Sequence, residues 1–167
     1  MNVDLYEKFW LWGAAGIIVV FLVSQAFTYV GRSIQPPSHV ETIDPATVRT
    51  DAEFSSPGVT INADGSATVV VQAFMFAFLP REIRVPRGVP VTFRLTSPDV
   101  IHGFQIVRTN GNAMVVPGYV SQFTTRFDRP GEYLIVCNEY CGLAHHNMYA
   151  TLIVEERRAS TAGGGRR

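Results

Sequence analysis

The chain has little cysteine, almost no lysine and no excess of either charge. Two cysteines in 167 residues are too few to staple a disulfide-rich secreted scaffold. Fourteen basic residues, of which only Lys8 is lysine, balance fourteen acidic ones. A nucleic-acid binder usually carries a basic surplus, so no nucleic-acid partner is expected. No internal repeat is visible, and an apolar share of 47% excludes a disordered polymer.

Charge is missing altogether from Phe9 to Gly31. A helix of that length spans about 34 Å, enough to cross a bilayer core of about 30 Å. Tyr6, Trp10 and Trp12 flank one end, and Phe27 and Tyr29 the other, as residues that favour the membrane–water boundary do. A buried helix and a cleaved signal peptide are the alternatives. Charge-free runs this long seldom occur in soluble cores. Asp4 and Glu7 make a poor basic leader, the apolar stretch is too long, and no A-x-A site follows. The pattern therefore predicts one transmembrane helix over about 9–31, within an N-terminal segment of residues 1–32. Lys8 and Arg32 stand on opposite sides, so charge counting leaves its orientation open.

Residues 33–57 change character. Pro36, Pro37, Pro45 and Pro57 sit among Ser, Thr and acids, which predicts an extended linker with His39 solvated in it. Residues 157–167, polar and Gly-rich, read as a flexible tail. Between them, residues 58–156 carry a β pattern. Candidate strands are Gly58–Asn62, Ala67–Phe78, Glu82–Val85, Val89–Thr96, Val100–Val107, Tyr119–Phe127, Glu132–Asn138 and Tyr149–Glu155. Asp64-Gly65, Arg87-Gly88, Asn110-Gly111 and Pro130-Gly131 supply turn signals between them. Short strands without intervening helices predict an all-β antiparallel sandwich or barrel.

The chemistry gathers in one segment, CNEYCGLAHHNM, from Cys137 to Met148. It holds both cysteines, spaced C-x3-C-x3-H-x2-M with His145 and Met148. A further imidazole, His102, lies in SPDVIHGF, 35 residues before Cys137. Thiolate, imidazole and thioether form a soft nitrogen–sulfur set, which selects copper over hard cations. A mononuclear blue site needs only one cysteine. The second supplies enough sulfur to bridge two metals. A Cys137–Cys141 disulfide would leave the histidines and Met148 without a role. A zinc site on Cys137, Cys141, His145 and His102 would leave Met148 idle.

This pattern, with the aromatic AFMFAF segment ahead of it, resembles subunit II of haem–copper cytochrome c oxidases, most closely the short, single-span subunit of the B-type (ba-type) branch. The resemblance covers the span, the linker and the β domain. It implies a cupredoxin-like Greek-key fold, with the N-terminus cytoplasmic and the β domain on the periplasmic or outer face of a bacterial or archaeal plasma membrane. It implies a binuclear CuA centre that accepts electrons from cytochrome c and passes them to haem in subunit I.

Carried over by position, Cys137 and Cys141 would bridge the coppers and His102 and His145 would each bind one. Met148 and the backbone carbonyl of Glu139 would be weak ligands. The Glu139 carboxylate is a candidate for Mg²⁺ at the boundary with subunit I, and a solvated carboxylate is the alternative. Asp99, three residues before His102, is an acid that supports the site or contacts a neighbouring subunit, or else a turn residue after Pro98. His146 is expected at the surface or as cover over the cluster. Phe74, Phe76 and Phe78 alternate, which predicts one shared strand face and core packing. The resemblance implies an aromatic cluster here where cytochrome c delivers its electron, which makes Phe74 and Phe76 the candidates. The long-subunit branch has tryptophans there. The CuA subunit of a nitric oxide reductase and a copper or thiol redox chaperone are the other functions the loop would serve. A chaperone would lack the H-x2-M step.

Overall fold

The computed structural model describes residues 4–32 and 41–156, the side chains of 28–32 excepted. The chain divides into two compact units, residues 1–39 and 40–167.

The first unit is helix α1, Leu5–Arg32. Its stretch Leu5–Phe27 is long and apolar enough to cross a membrane, and none of it is buried within the protein. Trp10, Trp12, Phe21 and Leu22 are all more than half exposed. A helix apolar on every side needs a lipid or protein environment to cover it, which agrees with the predicted span.

The second unit is a two-sheet β-sandwich. One sheet runs β1 (Gly58–Ile61), β2 (Ala67–Phe74), β5 (Pro90–Thr96) and β8 (Ser121–Arg126), with β3 (Ala77–Leu79) also on β2. The other runs β4 (Glu82–Pro86), β10 (Tyr149–Glu155), β9 (Gly131–Val136), β6 (His102–Ile106) and β7 (Asn112–Val115). Alternation along the strands builds the core between them. Val69, Val71, Val91, Phe93 and Leu95 are fully buried on one side, and Ile83, Phe104, Ile106, Ile135 and Leu152 on the other. Phe93 stacks on Phe123 with centroids 5.0 Å apart, and Phe78 meets Phe104 edge-on at 5.5 Å. Such aromatic pairs add about 0.5–1.5 kcal/mol beyond burial.

Three expectations need correction. The sandwich is not wholly antiparallel: β2 pairs β5 and β4 pairs β10 in parallel, because neighbours in each sheet are supplied by chain that crosses between sheets. The run Ala67–Phe78 is not one strand. β2 stops at Phe74, Met75 and Phe76 turn, and β3 folds back with Phe74 opposite Ala77 and Ala73 opposite Phe78. Phe74, Phe76 and Phe78 therefore do not share a face. Phe76 takes φ 73°, a left-handed conformation that tight hairpins demand and bulky residues resist. Lastly, residues 41–57 are packed against the sandwich and are no free linker. Asp44 caps a short 3₁₀ turn, Pro45–Thr47, by accepting from the Ala46 N–H at 2.9 Å. Val48 and Phe54 behind it are at most 1% exposed. Arg94 on β5 ties the segment down through Glu41 and Glu53. The remaining linker residues, 33–40 with His39, and the tail 157–167 lie outside the described residues.

Candidate metal centre

The site forms where three neighbouring strands of the second sheet end. His102 is the first residue of β6, Cys137 directly follows β9, and Met148 directly precedes β10. Because β9 lies between and antiparallel to both β6 and β10, these three positions fall at one end of the sheet. The Cys137 N–H donates to the Met148 carbonyl at 3.1 Å, which closes the loop 138–147 at its base. Within the loop the 3₁₀ turn His145–Asn147 aims His145 back at Cys141.

Two glycines let the loop lie this close. A Cβ on Gly103 would fall 1.9 Å from Asn138 Oδ1 and 2.8 Å from the Asn138 backbone nitrogen. Gly142 takes φ 131°, and a Cβ there would press the Phe76 ring at 3.1 Å. A larger residue at Gly103 must displace Asn138, next to Cys137, and one at Gly142 must displace the Phe76 ring.

The donors converge. The sulfurs of Cys137 and Cys141 are 3.9 Å apart and both thiols are free. That spacing is far beyond a disulfide at about 2.05 Å, yet it lets both sulfurs reach one metal at about 2.3 Å. His102 Nδ1 is 4.0 Å from Cys137 Sγ, and His145 Nδ1 is 3.6 Å from Cys141 Sγ. Met148 Sδ is also 3.6 Å from Cys141 Sγ, and the Glu139 carbonyl oxygen is 3.1 Å from Cys137 Sγ. The donor atoms of His102, Cys137 and Cys141 all lie within 4.8 Å of one another. The four donors His102, Cys137, Cys141 and Met148 are at most 7% exposed. This set of two thiols, two imidazoles, a thioether and a carbonyl, with His145 and Glu139 only half-buried, fits soft, thiophilic copper. A tetrahedral zinc site would use four of them and leave Met148 unused.

The surroundings are tuned to this set. Burial pushes the Cys141 thiol up from its ordinary pKa, and the neighbouring Cys137 adds to this by like-charge repulsion. The Phe76 backbone N–H opposes the rise by bonding the Cys141 sulfur. Asp99 accepts from His102 Nε2 at 2.9 Å, which turns Nδ1 toward the sulfurs. Burial alone would raise the Asp99 carboxyl. Hydrogen bonds from His102, Met75, Val100 and Ser97 outweigh that and hold it below the usual carboxylate value. Asp99 is thus both the turn residue and the supporting acid that the sequence allowed.

The two aromatic candidates part company. The Phe76 ring lies against Gly142 of the loop. Phe74 instead lines a surface pocket with Arg49, Ser55 and Pro57. His146 is exposed, as expected. The Glu139 carboxylate is half-buried and, among the described residues, has no hydrogen-bond or ion-pair partner. Sequence reasoning passed over Tyr140, which is 75% exposed with its ring centroid 5.8 Å from that of His145. Its place between Glu139 and Cys141 was visible, but its orientation was not.

Residues 53–156 match the family model for the cytochrome c oxidase subunit II periplasmic domain. A cytochrome c oxidase subunit 2 of Thermus thermophilus is 43% identical over 155 residues, which is 90% of this chain and 92% of that protein. A solved haem–copper terminal oxidase dimer contains a chain of like structure. It is 32% identical with a TM-score of 0.68, over 90% of this chain and 99% of that one. The periplasmic domain of subunit II of cytochrome oxidase from Bradyrhizobium japonicum shares the fold, with a TM-score of 0.50 at 20% identity over 54% of this chain and 84% of that one.

Proposed function

The chain belongs to the cytochrome c oxidase subunit II family, and from that premise we propose that its loop 137–148 holds a binuclear copper centre, CuA, fed by cytochrome c. As a subunit II it is the electron-accepting member of an oxidoreductase complex, a single-pass membrane protein that works beside a haem-containing subunit I, and copper is the metal of its site. Oxygen chemistry belongs to the partner subunit.

The observation that carries the binuclear reading is the pair of free thiols 3.9 Å apart, each with an imidazole nitrogen within 4.0 Å. In this reading Cys137, Cys141, His102 and His145 would hold the copper, with Met148 and the Glu139 carbonyl as weaker donors beside them. Bound copper supplies one-electron redox chemistry. The chain's own work is to hold the donors still. Strand ends fix His102, Cys137 and Met148, Asp99 fixes the His102 ring, and burial excludes water. A preorganised shell moves little when charge changes, which is what rapid electron transfer needs.

Domain limits follow this reading: α1 as anchor with a cytoplasmic N-terminus, and the sandwich from about residue 41 to 156 on the outer face. Phe76 is the favoured point of electron intake. The unpartnered Glu139 carboxylate offers one oxygen to Mg²⁺, whose other ligands would come from subunit I.

The test is metal content. Purified full-length chain in detergent, stripped and then loaded with copper, is expected to hold two coppers sharing one delocalised unpaired electron, read by elemental analysis and paramagnetic resonance. One copper per chain, or zinc held equally well, overturns the binuclear reading.

A further inference from the structure

Copper has to reach donors that are almost fully enclosed. His102, Cys137, Cys141 and Met148 expose between 0 and 7% of their surfaces. On the His102 side, Asp99 bonds the His102 ring and is itself held by Ser97, Val100 and Met75. On the Cys141 side, the Phe76 ring packs on Gly142. The outer face of the second sheet differs. A groove of about 290 Å³ is walled there by Leu134 and Tyr149, and it touches Cys137 and Met148. That volume is far above the roughly 10–15 Å³ one water needs, so an ion with part of its hydration shell fits. Its lining holds His146 beside His145. His146 is exposed and has no hydrogen-bond or ion-pair partner among the described residues.

We propose that this groove is the route by which copper enters the site, and that His146 is a transient ligand at its mouth. The proposal rests on the copper reading above and goes beyond it, because His146 belongs to none of the final ligand positions. A borderline-soft imidazole at the rim captures the ion from water. Met148 and Cys137 at the floor of the groove would take the ion over, the thiol releasing its proton to water as its sulfur binds. Leu134 and Val136 supply apolar walls that offer no competing ligand.

The experiment uses metal-free full-length chain in detergent and Cu(I) supplied as its acetonitrile complex. Chelator-resistant copper is counted against time for the wild type, His146→Ala, Leu134→Trp to obstruct the groove, and Met114→Ala, which removes an exposed thioether on β7 outside the groove. The expected result is that His146→Ala and Leu134→Trp slow uptake roughly tenfold, equivalent to about 1.4 kcal/mol. Final copper content should be unchanged, and Met114→Ala should match the wild type. Wild-type rates in both groove variants overturn the route while leaving the copper reading intact. A wild-type chain that retains no copper overturns both. Normal final copper content in His146→Ala also shows that the variant is folded.

Discussion

Asp99 Oδ1 lies 2.9 Å from His102 Nε2, while Asp99 Oδ2 accepts the Met75 N–H at 2.6 Å. One carboxylate therefore holds both the His102 imidazole and the turn that carries Phe76. Asp99→Asn should loosen the ring and remove negative charge behind it. Copper affinity should fall about 10–100-fold, and the site's reduction potential should rise, because the less basic imidazole favours the oxidised metal less. Asp99→Ala should do both more strongly. A titration of copper affinity with redox potentiometry reads the two effects. Unchanged potential in both variants would reduce Asp99 to a turn residue. The folded carboxyl sits below its usual value, so its contribution is present above the unfolded pKa near 3.9 and is lost only as pH falls through the lower folded value. Between pH 5 and 8 the anchor should not vary.

The thiols make the sharpest chemical prediction. Cys137→Ser or Cys141→Ser replaces a soft, shareable sulfur by a hard oxygen. Each change should abolish the delocalised resonance signal and nearly all cytochrome c oxidation by the complex. Met148→Leu keeps volume close to the original and removes one weak donor. Copper content should persist while the potential shifts. A mixed-valence signal surviving in either serine variant refutes the bridging role.

Much of this was legible in the sequence because the information is local. Five of the six donors fall within twelve consecutive residues, and a charge-free run marks a span without any knowledge of the fold. What was not legible depends on contacts far apart in sequence. The AFMFAF segment carries no Gly, Asn or Asp to signal a turn. The turn at Met75-Phe76 is held by Asp99, 24 residues away, which accepts the Met75 N–H. Likewise the prolines of 41–57 look like a linker. Only the burial of Val48 and Phe54, and the bridges from Arg94, bring that segment into the domain.

Gly103 tests the packing argument apart from the ligands. It touches no metal donor, yet any Cβ there meets Asn138 at 1.9 Å. Gly103→Ala should force the loop off β6 and destabilise the domain by about 1–3 kcal/mol, the usual cost of overpacking. Thermal unfolding of the copper-free chain measures the loss. Copper affinity should drop with it, since His102 and Cys137 flank the displaced pair. An Ala variant with wild-type unfolding would show that the loop yields freely.

Glu139 separates backbone from side-chain roles. Its carbonyl faces Cys137 Sγ and any residue could supply that oxygen. Its carboxylate is a hard ligand, unsuited to Cu(I) and suited to Mg²⁺. In the whole complex with Mg²⁺ replaced by Mn²⁺, the wild type should give a tightly bound manganese signal that Glu139→Gln loses. Copper binding should be equal in both. If neither binds Mn²⁺, the residue acts through its backbone alone.

Electron intake divides the two aromatic candidates. Phe76 bonds the Cys141 sulfur through its N–H and rests its ring on Gly142, so it joins the partly exposed turn to Cys141. Phe74 faces the pocket beside Arg49 and Pro57 and has no such contact with the loop. Phe76→Leu, which removes the ring and keeps an apolar side chain, should slow reduction of the copper site by cytochrome c while copper content stays the same. Phe74→Leu should leave both unchanged. Stopped-flow reduction followed at the copper absorption band distinguishes them. Equal slowing in both variants would mean that the donor contacts a broad apolar surface and that neither ring has a privileged role. A slow Phe74→Leu beside a normal Phe76→Leu would move the intake point to the side of the sandwich where residues 49–57 pack.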